Sequence, residues 1–253
     1  MNRYLFFLLM VLLFSPVVSA QESKNNIDFQ AEEARRAAEE NSTYRFSVSW
    51  RIEGGYIQQW ENSPGKSFSD IYFHGGRIGA LADLNLPYHL ALQTGVQYAL
   101  AYGINPQHFA AVGTGTQGAQ YIEHHILKHT LSVPLRLTYE QKLWRQLAMV
   151  FYGGPQFQVG LARQDNMETS LSDATRAWIE QQGLRTSSYE QYGAGDLWRF
   201  SFQLGVGGGL QWDRYRLTAG YDFGLNNVAR RQTTAQGSFV RDWNWHVSFS
   251  YRF

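Results

Sequence analysis

The last eleven residues of the chain, 243–253, alternate without a break between large apolar and polar side chains. Successive side chains of a β-strand point to opposite faces. One face of this segment is therefore wholly apolar, with aromatic residues at both ends. Aromatic residues at both ends are typical of strands that cross a bilayer. Because lipid offers no partner for backbone polar groups, such strands must close into a barrel.

The amino-terminal end has the pattern of a secretory signal peptide. Arg3 supplies a positive charge, residues 4–14 form an apolar run, and Val18-Ser19-Ala20 is a small-residue cleavage site. The run is shorter than the roughly 20 residues that a membrane-spanning helix needs. The chain contains no cysteine, which argues against a lipoprotein anchor and a disulfide framework. We predict a signal peptide over residues 1–20.

Composition excludes several classes of protein. The mean hydropathy is −0.37 and no second long apolar run follows, which argues against a helical membrane protein. A barrel remains compatible with these values, because half of each strand faces a polar interior. A net charge of +1 argues against nucleic acid as a partner.

Residues 21–43 precede the first candidate strand. Within this segment, residues 30–40 combine strong helix formers with mixed charge and have no apolar stripe. We interpret 21–43 as a solvated, partly helical periplasmic lead-in. The alternative is a contact with a periplasmic partner or with the cell-wall layer.

Period-two alternation indicates eight strands and a single barrel domain over residues 44–253. A weak point is predicted at Gly153-Gly154-Pro155, where a bulge or bend is expected. The candidate strands cover residues 44–53, 77–86, 90–103, 131–139, 147–161, 198–212, 215–223 and 243–253.

The connections alternate between short and long. Short turns follow strands two, four and six, and the long connections are 54–72, 103–128, 163–196 and 225–238. Transmembrane barrels have this arrangement, with short periplasmic turns and long extracellular loops. The fold class is therefore all-β: an eight-stranded antiparallel up-and-down transmembrane barrel with both termini in the periplasm.

Charged residues dominate the predicted inner face. We expect them to form a packed network that satisfies buried polar groups, the alternative being a narrow solute path or a polar pocket. Gly205, Gly207 and Gly209 would let a long arginine lie across the backbone. The predicted interior network comprises Arg45, Arg51, Glu53, Arg77, Asp83, Arg136, Arg199, Arg216, Asp222, Asp242, His246 and Arg252.

Two types of lipid A enzyme are the catalytic alternatives for such an interior. His246 and Ser248 resemble the His-x-Ser arrangement of lipid A deacylases, in which a base activates a hydroxyl. They alternate with the aromatic set and so point inward near mid-membrane, away from a lipid ester. A palmitoyltransferase needs an apolar lumen for an acyl chain, and this one is charged. We predict a non-enzyme without catalytic residues or cofactors.

Two loop features carry weaker signals. His124, His125 and His129 cluster beside Glu123, and this cluster is either a surface zinc or copper site or a His-rich interfacial loop. We favour the loop and predict no metal site. Residues 172–182 are predicted to form a short helix capped by Ser172 or Ser170. Its Trp178-Ile179 pair either covers the barrel mouth or binds a partner.

The signal peptide, the charged lead-in, strand four (Leu131-Ser132-Val133-Pro134-Leu135-Arg136-Leu137) and Gly153-Gly154-Pro155 resemble the PorT-like outer-membrane β-barrel proteins of the Bacteroidetes. The OmpW and OmpX types are the runner-up relatives. The resemblance implies a barrel and a structural or accessory role in an envelope assembly, such as a type IX secretion-related system. A narrow channel for small solutes is the alternative function.

The last strand also resembles the signal by which outer-membrane barrels are recognised for assembly. That resemblance assigns an assembly role to Phe253, Tyr251 and Phe249. The expected partners are outer-membrane lipid including lipopolysaccharide, the barrel assembly machinery and an envelope or secretion-system protein. No nucleic acid is expected.

Overall fold

Eight long strands form a ring in the computed structural model, which describes residues 47–62, 71–109, 120–144, 146–182, 185–230 and 240–253. A helix, α1 (Asp173–Gln181), follows the fifth strand. The strands are β1 (Ser47–Asn62), β2 (Ile71–Leu86), β3 (Leu90–Phe109), β4 (Gln120–Trp144), β5 (Leu147–Ser170), the short β6 (Tyr189–Glu190), β7 (Phe200–Trp212), β8 (Tyr215–Gly224) and β9 (Arg241–Arg252).

Every neighbouring pair of strands in the ring is antiparallel. The order is β4-β3-β2-β1-β9-β8-β7-β5, and pairing between β4 and β5 closes the ring. The short β6 lies outside the ring and, among the described residues, pairs only with Gln164 and Asp165 of β5. The predicted eight-stranded antiparallel barrel is confirmed.

The two ends of the barrel differ in their connections. At one end, here called the short-turn end, the links are residues 87–89, 145–146 and 213–214. Tyr88, His89 and Asp213 adopt positive φ angles of 63°, 61° and 52°, as tight turns require. The other end, called the long-loop end, carries the connections that follow β1, β3, β5 and β8.

The strands reach further toward the long-loop end than the alternation indicated. The predicted loops at 54–72, 103–128 and 163–196 are too long, because part of each belongs to a strand: residues 54–62, 71–72, 103–109, 120–128 and 163–170 continue β1 to β5. Gly54-Gly55 and Gly75-Gly76 have no side chains and therefore interrupt the visible alternation. Beyond them, several apolar residues face inward and several polar residues face outward, which hides the strand period.

The predicted bend at Gly153-Gly154-Pro155 is also wrong. The register of β5 with β7 continues unbroken through these residues. A side chain at Gly154 would collide with the Leu135 carbonyl oxygen, so the glycine permits close strand contact. The register shifts lie in the β4–β5 pair instead, between His129 and Thr130, where β5 carries an extra residue, and between Lys142 and Trp144.

The helix α1 confirms the prediction for residues 172–182. Ser172 is the N-cap, and its side chain accepts a hydrogen bond of 3.2 Å from the Thr175 amide. Ile179 is completely buried, whereas Trp178 is exposed, so the two do not form one apolar spot. Within the described part of the chain, no helix is long and apolar enough to span a membrane.

Burial is inverted relative to a soluble domain. Arg51, Arg136 and Asp222 are at most 2% exposed, whereas Trp50 and Ile78 are about 60% exposed. An outward apolar surface around a polar interior is the distribution expected when the surroundings are lipid. The predicted signal peptide, the lead-in and Arg45 lie outside the described residues.

Candidate functional site

The lumen is the candidate site, and charged side chains fill it in three layers. In the layer nearest the short turns, Arg51 Nε donates to Asp83 Oδ2 at 2.7 Å, and Gln93 donates to the other oxygen of that carboxylate. Arg216 forms an ion pair with Glu140. Gln211 accepts hydrogen bonds from both arginines, at 2.7–3.2 Å, and so joins the two ion pairs.

The middle layer contains a second arginine–glutamate pair. Arg77 lies 3.1 Å from Glu53 Oε1, and its Nε donates to Ser248 Oγ at 2.9 Å. Gln97 donates to the same Glu53 oxygen at 2.6 Å. Charged and polar groups from four strands thus satisfy one another in the interior, as buried polar groups must.

The middle layer also contains an Asp–His–Tyr chain. His246 Nδ1 lies 3.4 Å from Asp222 Oδ2, and His246 Nε2 lies 2.9 Å from the Tyr152 hydroxyl. The Arg136 guanidinium packs on the Tyr152 ring at 4.8 Å and reaches Asp222 at 3.4 Å. A Cβ at Gly207 or Gly220 would overlap the Tyr152 hydroxyl.

These glycines therefore accommodate a tyrosine. The inward glycines of β7 were expected to make room for an arginine, and that expectation is wrong. Tyr152 occupies the space beside Gly207, and the Asp222 carboxylate occupies the space beside Gly205. The arginine that comes near, Arg136, packs on the tyrosine ring instead of on the glycine backbone.

The layer nearest the long loops is built around Lys128. Its Nζ lies 3.2 Å from Glu61 Oε1 and 3.1 Å from Asp242 Oδ2, and Arg163 also forms an ion pair with Glu61. Both cations lie over the Phe73 ring, at 5.6 and 5.2 Å from its centroid. Cation–π contacts and paired carboxylates stabilise these charges away from water.

The segment around β6 covers this last layer. The Gln191 amide donates to the Arg163 carbonyl at 3.0 Å, and its side chain donates to Asp165 at 2.9 Å. Tyr192 is only 8% exposed and packs against Gly160. Burial raises the pKa of the Tyr192 phenol, although Lys128 and Arg163 oppose that rise.

Most of the predicted interior residues face the lumen. Arg252 occupies an inward position at the short-turn rim, where its guanidinium donates to the Asp213 carbonyl at 3.4 Å. The residues buried in the lumen are Arg51, Glu53, Arg77, Asp83, Arg136, Arg216, Asp222, Asp242 and His246.

The prediction for Arg199 is wrong. This residue precedes β7, and its side chain is about half exposed. The guanidinium donates to the carbonyl of Leu161 at 2.6 Å and stacks on Tyr192 at 5.1 Å. It therefore fastens a connection at the long-loop end instead of entering the lumen.

Sequence reasoning missed several lumen residues. Glu61 and Lys128 point to the same face of their strands as Glu53 and Arg136, so a longer alternation would have found them. Arg163 could not be found this way, because the register shift near Gly160 reverses which residues of β5 face inward. The missed residues include Glu61, Lys128, Glu140, Tyr152 and Arg163.

The structure separates the histidine cluster. His124 faces the lumen, with Nδ1 3.0–3.1 Å from the Asp165 carboxylate. His125 and His129 face outward and bond the hydroxyls of Tyr102 and Tyr98. Among the residues that the structure describes, no group of three or more His, Cys, Asp or Glu side chains is arranged to hold a metal ion.

The aromatic residues of the last strand lie on its outward face. Phe249 and Tyr251 contact the Tyr215 ring at 5.7 and 5.3 Å. Phe253 contacts Tyr251 edge-on at 5.3 Å, and its amide donates to the Trp50 carbonyl at 3.0 Å. Their role in assembly stays a prediction.

The family of the chain follows from comparison with known proteins. Residues 25–230 match the model of the outer membrane protein beta-barrel domain family, which covers most of the chain. No curated protein sequence matches.

Several solved structures have a similar fold at low sequence identity. Neisserial surface protein A is 12% identical, with 82% of this chain and 99% of that chain covered and a TM-score of 0.43. Ail of Yersinia pestis, solved with the heparin analogue sucrose octasulfate, is 14% identical, with coverages of 82% and 99% and a TM-score of 0.37. OprG of Pseudomonas aeruginosa is 12% identical, with coverages of 83% and 97% and a TM-score of 0.38. The family match, on a ring of eight antiparallel strands, shows that the chain belongs to the outer membrane protein beta-barrel domain family.

Proposed function

We propose that this protein is a closed, non-enzymatic barrel that serves as a structural or accessory component of an envelope assembly. The observation that carries the proposal is the filled lumen. Three layers of ion pairs and hydrogen bonds separate the short-turn end from the long-loop end. In this proposal the long loops are extracellular and both termini are periplasmic, as in other transmembrane barrels.

Charge balance supports closure over conduction. Ion pores are lined by rings of like charge that attract one sign of ion. In the middle layer and in the layer nearest the short turns, the cations and anions are equal in number and paired with each other. They are Arg51, Arg77, Arg136 and Arg216, with Glu53, Asp83, Glu140 and Asp222.

The contacts of His246 and Ser248 support the non-enzyme proposal. A catalytic His–Ser pair needs the base within hydrogen-bond reach of the nucleophile and space for the substrate beside both. The Nε2 atom of His246 is held by Tyr152, and the Ser248 hydroxyl accepts from Arg77. Both residues are at most 1% exposed. An acyl ester has no route to them without displacing ion-paired side chains.

The working surface in this proposal is the long-loop end, where α1 presents Trp178 at 44% exposure. Exposed aromatic side chains are frequent anchors in protein interfaces. The finer assignment, a type IX secretion-related assembly, rests on the resemblance of strand four and of Gly153-Gly154-Pro155 to PorT-like proteins.

The test uses a host strain that lacks this gene and is complemented by the wild-type chain, Trp178→Ala or Gln181→Ala. Gln181 is a matched control, because it is exposed on the same helix. We expect export of type IX cargo to fall in the deletion strain and with Trp178→Ala, and to recover with wild type and Gln181→Ala. Normal cargo export in the deletion strain would rule out the secretion-related role.

The second candidate, a narrow channel, is favoured by one feature. A small cavity in the lumen is lined by polar and charged side chains, including Arg51, Glu53, Arg136 and Arg216. Planar-bilayer recordings of the purified barrel separate the two functions. We expect no stable open-channel steps, and reproducible steps would overturn the closed-barrel proposal.

A further inference from the structure

Three Tyr–His hydrogen bonds lie on the outward face of β1 to β4. The Tyr56 hydroxyl lies 2.5 Å from His74 Nδ1, and the Tyr98 hydroxyl lies 2.6 Å from His129 Nδ1. The third pair joins Tyr102 and His125 at 2.5 Å. Polar side chains in this position need an explanation, because the outward face of a membrane barrel otherwise carries apolar residues.

The three pairs share one geometry. His74 is opposite Gln58, two residues beyond Tyr56 toward the long-loop end. His129 and His125 are displaced from Tyr98 and Tyr102 by the same two residues in the same direction. In every pair the tyrosine therefore stands nearer the middle of the barrel, and the imidazole stands nearer the long loops.

The depth of the Tyr56–His74 pair follows from the tryptophans of β1. Trp50 and Trp60 both face outward and are ten residues apart, which corresponds to roughly 25 Å along the barrel axis at the usual strand tilt. That distance is the height of the apolar band of an outer-membrane barrel. Trp60 stacks on Trp243, with 6.2 Å between the ring centroids, and marks the membrane interface at the long-loop end. Tyr72 pairs with Trp60 and therefore lies at this interface. His74 is the next outward residue of β2 after Tyr72, so it lies close to the level of the lipid headgroups.

The hydrogen bonds determine which imidazole atom can face a ligand. When a tyrosine hydroxyl donates to Nδ1, the proton of a neutral imidazole resides on Nε2. Ring contacts of 6.3 Å for Tyr56–His74 and 6.1 Å for Tyr98–His129 hold each imidazole in place. A pair in which the hydroxyl donates therefore presents an oriented N–H donor at Nε2.

Charge on this surface favours an anion. Arg241 precedes Trp243 by two residues and shares its outward face at the same interface. No described outward position of β9, β1, β2 or β3 carries a carboxylate, and the outward carboxylate of β4, Glu123, lies six residues from His129. The third pair differs, because His125 Nε2 lies 3.8 and 3.9 Å from Glu123 and Glu168. These carboxylates would repel an anion, so we exclude His125 from the site.

We propose that the outward face around His74, His129 and Arg241 binds phosphate groups carried by membrane-lipid headgroups. The two imidazoles donate hydrogen bonds from Nε2, and Arg241 supplies positive charge. Lipid A of the outer leaflet is the source that fits the proposed orientation of the long loops, whereas a glycerophospholipid headgroup offers the same chemistry. The inference goes beyond the accessory role, because it requires only that the barrel resides in the outer membrane.

Native mass spectrometry of the folded full chain tests the proposal. The probes are bisphosphorylated lipid A, dephosphorylated lipid A and phosphatidylglycerol, each added to the barrel in detergent. We expect the double variant His74→Gln/His129→Gln to lower retention of bisphosphorylated lipid A by about tenfold. Tyr56→Phe/Tyr98→Phe should lower it less, because the imidazoles remain but are no longer oriented.

His125→Gln is the matched control and should leave retention unchanged. Heat-modifiable migration checks that each variant is folded. Equal retention of phosphorylated and dephosphorylated lipid A, or a loss with His125→Gln equal to that of the double variant, would overturn the proposal. Binding of inorganic phosphate without retention of any phosphorylated lipid would also overturn it, because the site would then take a soluble anion. Preferential retention of phosphatidylglycerol would identify that lipid as the source.

Discussion

The short-turn half and the long-loop half of this barrel follow different rules. In the short-turn half, apolar side chains such as Trp50 and Ile78 face outward, and charged side chains such as Arg51 and Asp83 face inward. In the long-loop half, Phe73 and Ile126 face inward and are at most 2% exposed, whereas His74 faces outward. Alternation between apolar and polar residues is therefore clear in one half and mixed in the other.

The change in pattern marks the boundary between the hydrocarbon region of the membrane and the lipid headgroups. An outward position in the short-turn half touches lipid chains and must be apolar. Near the long loops the outward face meets headgroups, where imidazoles and hydroxyls can form hydrogen bonds. The lumen there is covered by Gln191 and Tyr192, so an apolar ring such as Phe73 can face inward and pack under Lys128.

The largest expected effect is the loss of a carboxylate from the middle of the lumen. Asp222→Ala should destabilise the barrel by about 3–5 kcal/mol, because Arg136 and His246 would remain buried without their partner. Asp242→Ala, in the long-loop half, should cost less, because Lys128 keeps Glu61 at 3.2 Å. Urea unfolding in lipid vesicles measures both. Equal losses would show that the two halves of the lumen are equally dependent on their ion pairs.

The second prediction concerns depth on the outward face. Val247→Arg, on the outward face opposite Tyr56, should cost about 2–4 kcal/mol, because this position lies near the middle of the apolar band. His74→Arg should cost about 0–1 kcal/mol if its position lies at the interface. The measurement is again the unfolding free energy in vesicles. A large cost for His74→Arg would mean that the membrane interface lies closer to the long loops than this residue does.

The third prediction compares the same hydrogen bond in two environments. Tyr152→Phe leaves His246 Nε2 without its partner in the buried lumen and should cost about 1–3 kcal/mol. Tyr98→Phe removes the corresponding bond to His129 on the outward face, where headgroups and water replace it, and should cost about 1 kcal/mol or less. Similar losses of unfolding free energy for the two variants would mean that water and headgroups do not reach the outward pair.

The smallest expected effect is confined to the long-loop end. Ser172→Ala removes the N-cap of α1 and should destabilise that helix by about 1 kcal/mol. Limited proteolysis of the connection after β5 should become faster, while global unfolding of the barrel stays unchanged. A drop in the global unfolding free energy would show that α1 is coupled to the ring.

The sequence predicted the short-turn half of this barrel well. The strand number, the three short turns and the inward position of nine charged or imidazole residues followed from period-two alternation. That inference works because each strand there has hydrocarbon on one side and paired charges on the other. The predicted roles of Phe249, Tyr251 and Phe253 in assembly and the amino-terminal segments remain predictions.

The long-loop half was less predictable, because three features there obscure the period. Glycine pairs interrupt the alternation in β1 and β2, the extra residue near Gly160 reverses the parity of β5, and imidazoles bond tyrosines on the outward face. The extents of the loops were wrong for these reasons. The predicted position of Arg199 was wrong because β7 begins only at the next residue, Phe200.

The chain by itself determined the architecture, because alternation is a local property that each strand displays without reference to its partners. Only the tertiary structure decided which charges meet, since Arg163 and Glu61 are brought together from strands about one hundred residues apart. It also decided that Tyr152 occupies the space beside Gly207 and that His124 and His125 belong to different surfaces. Such pairings depend on the register and closure of the ring, and no single strand encodes them.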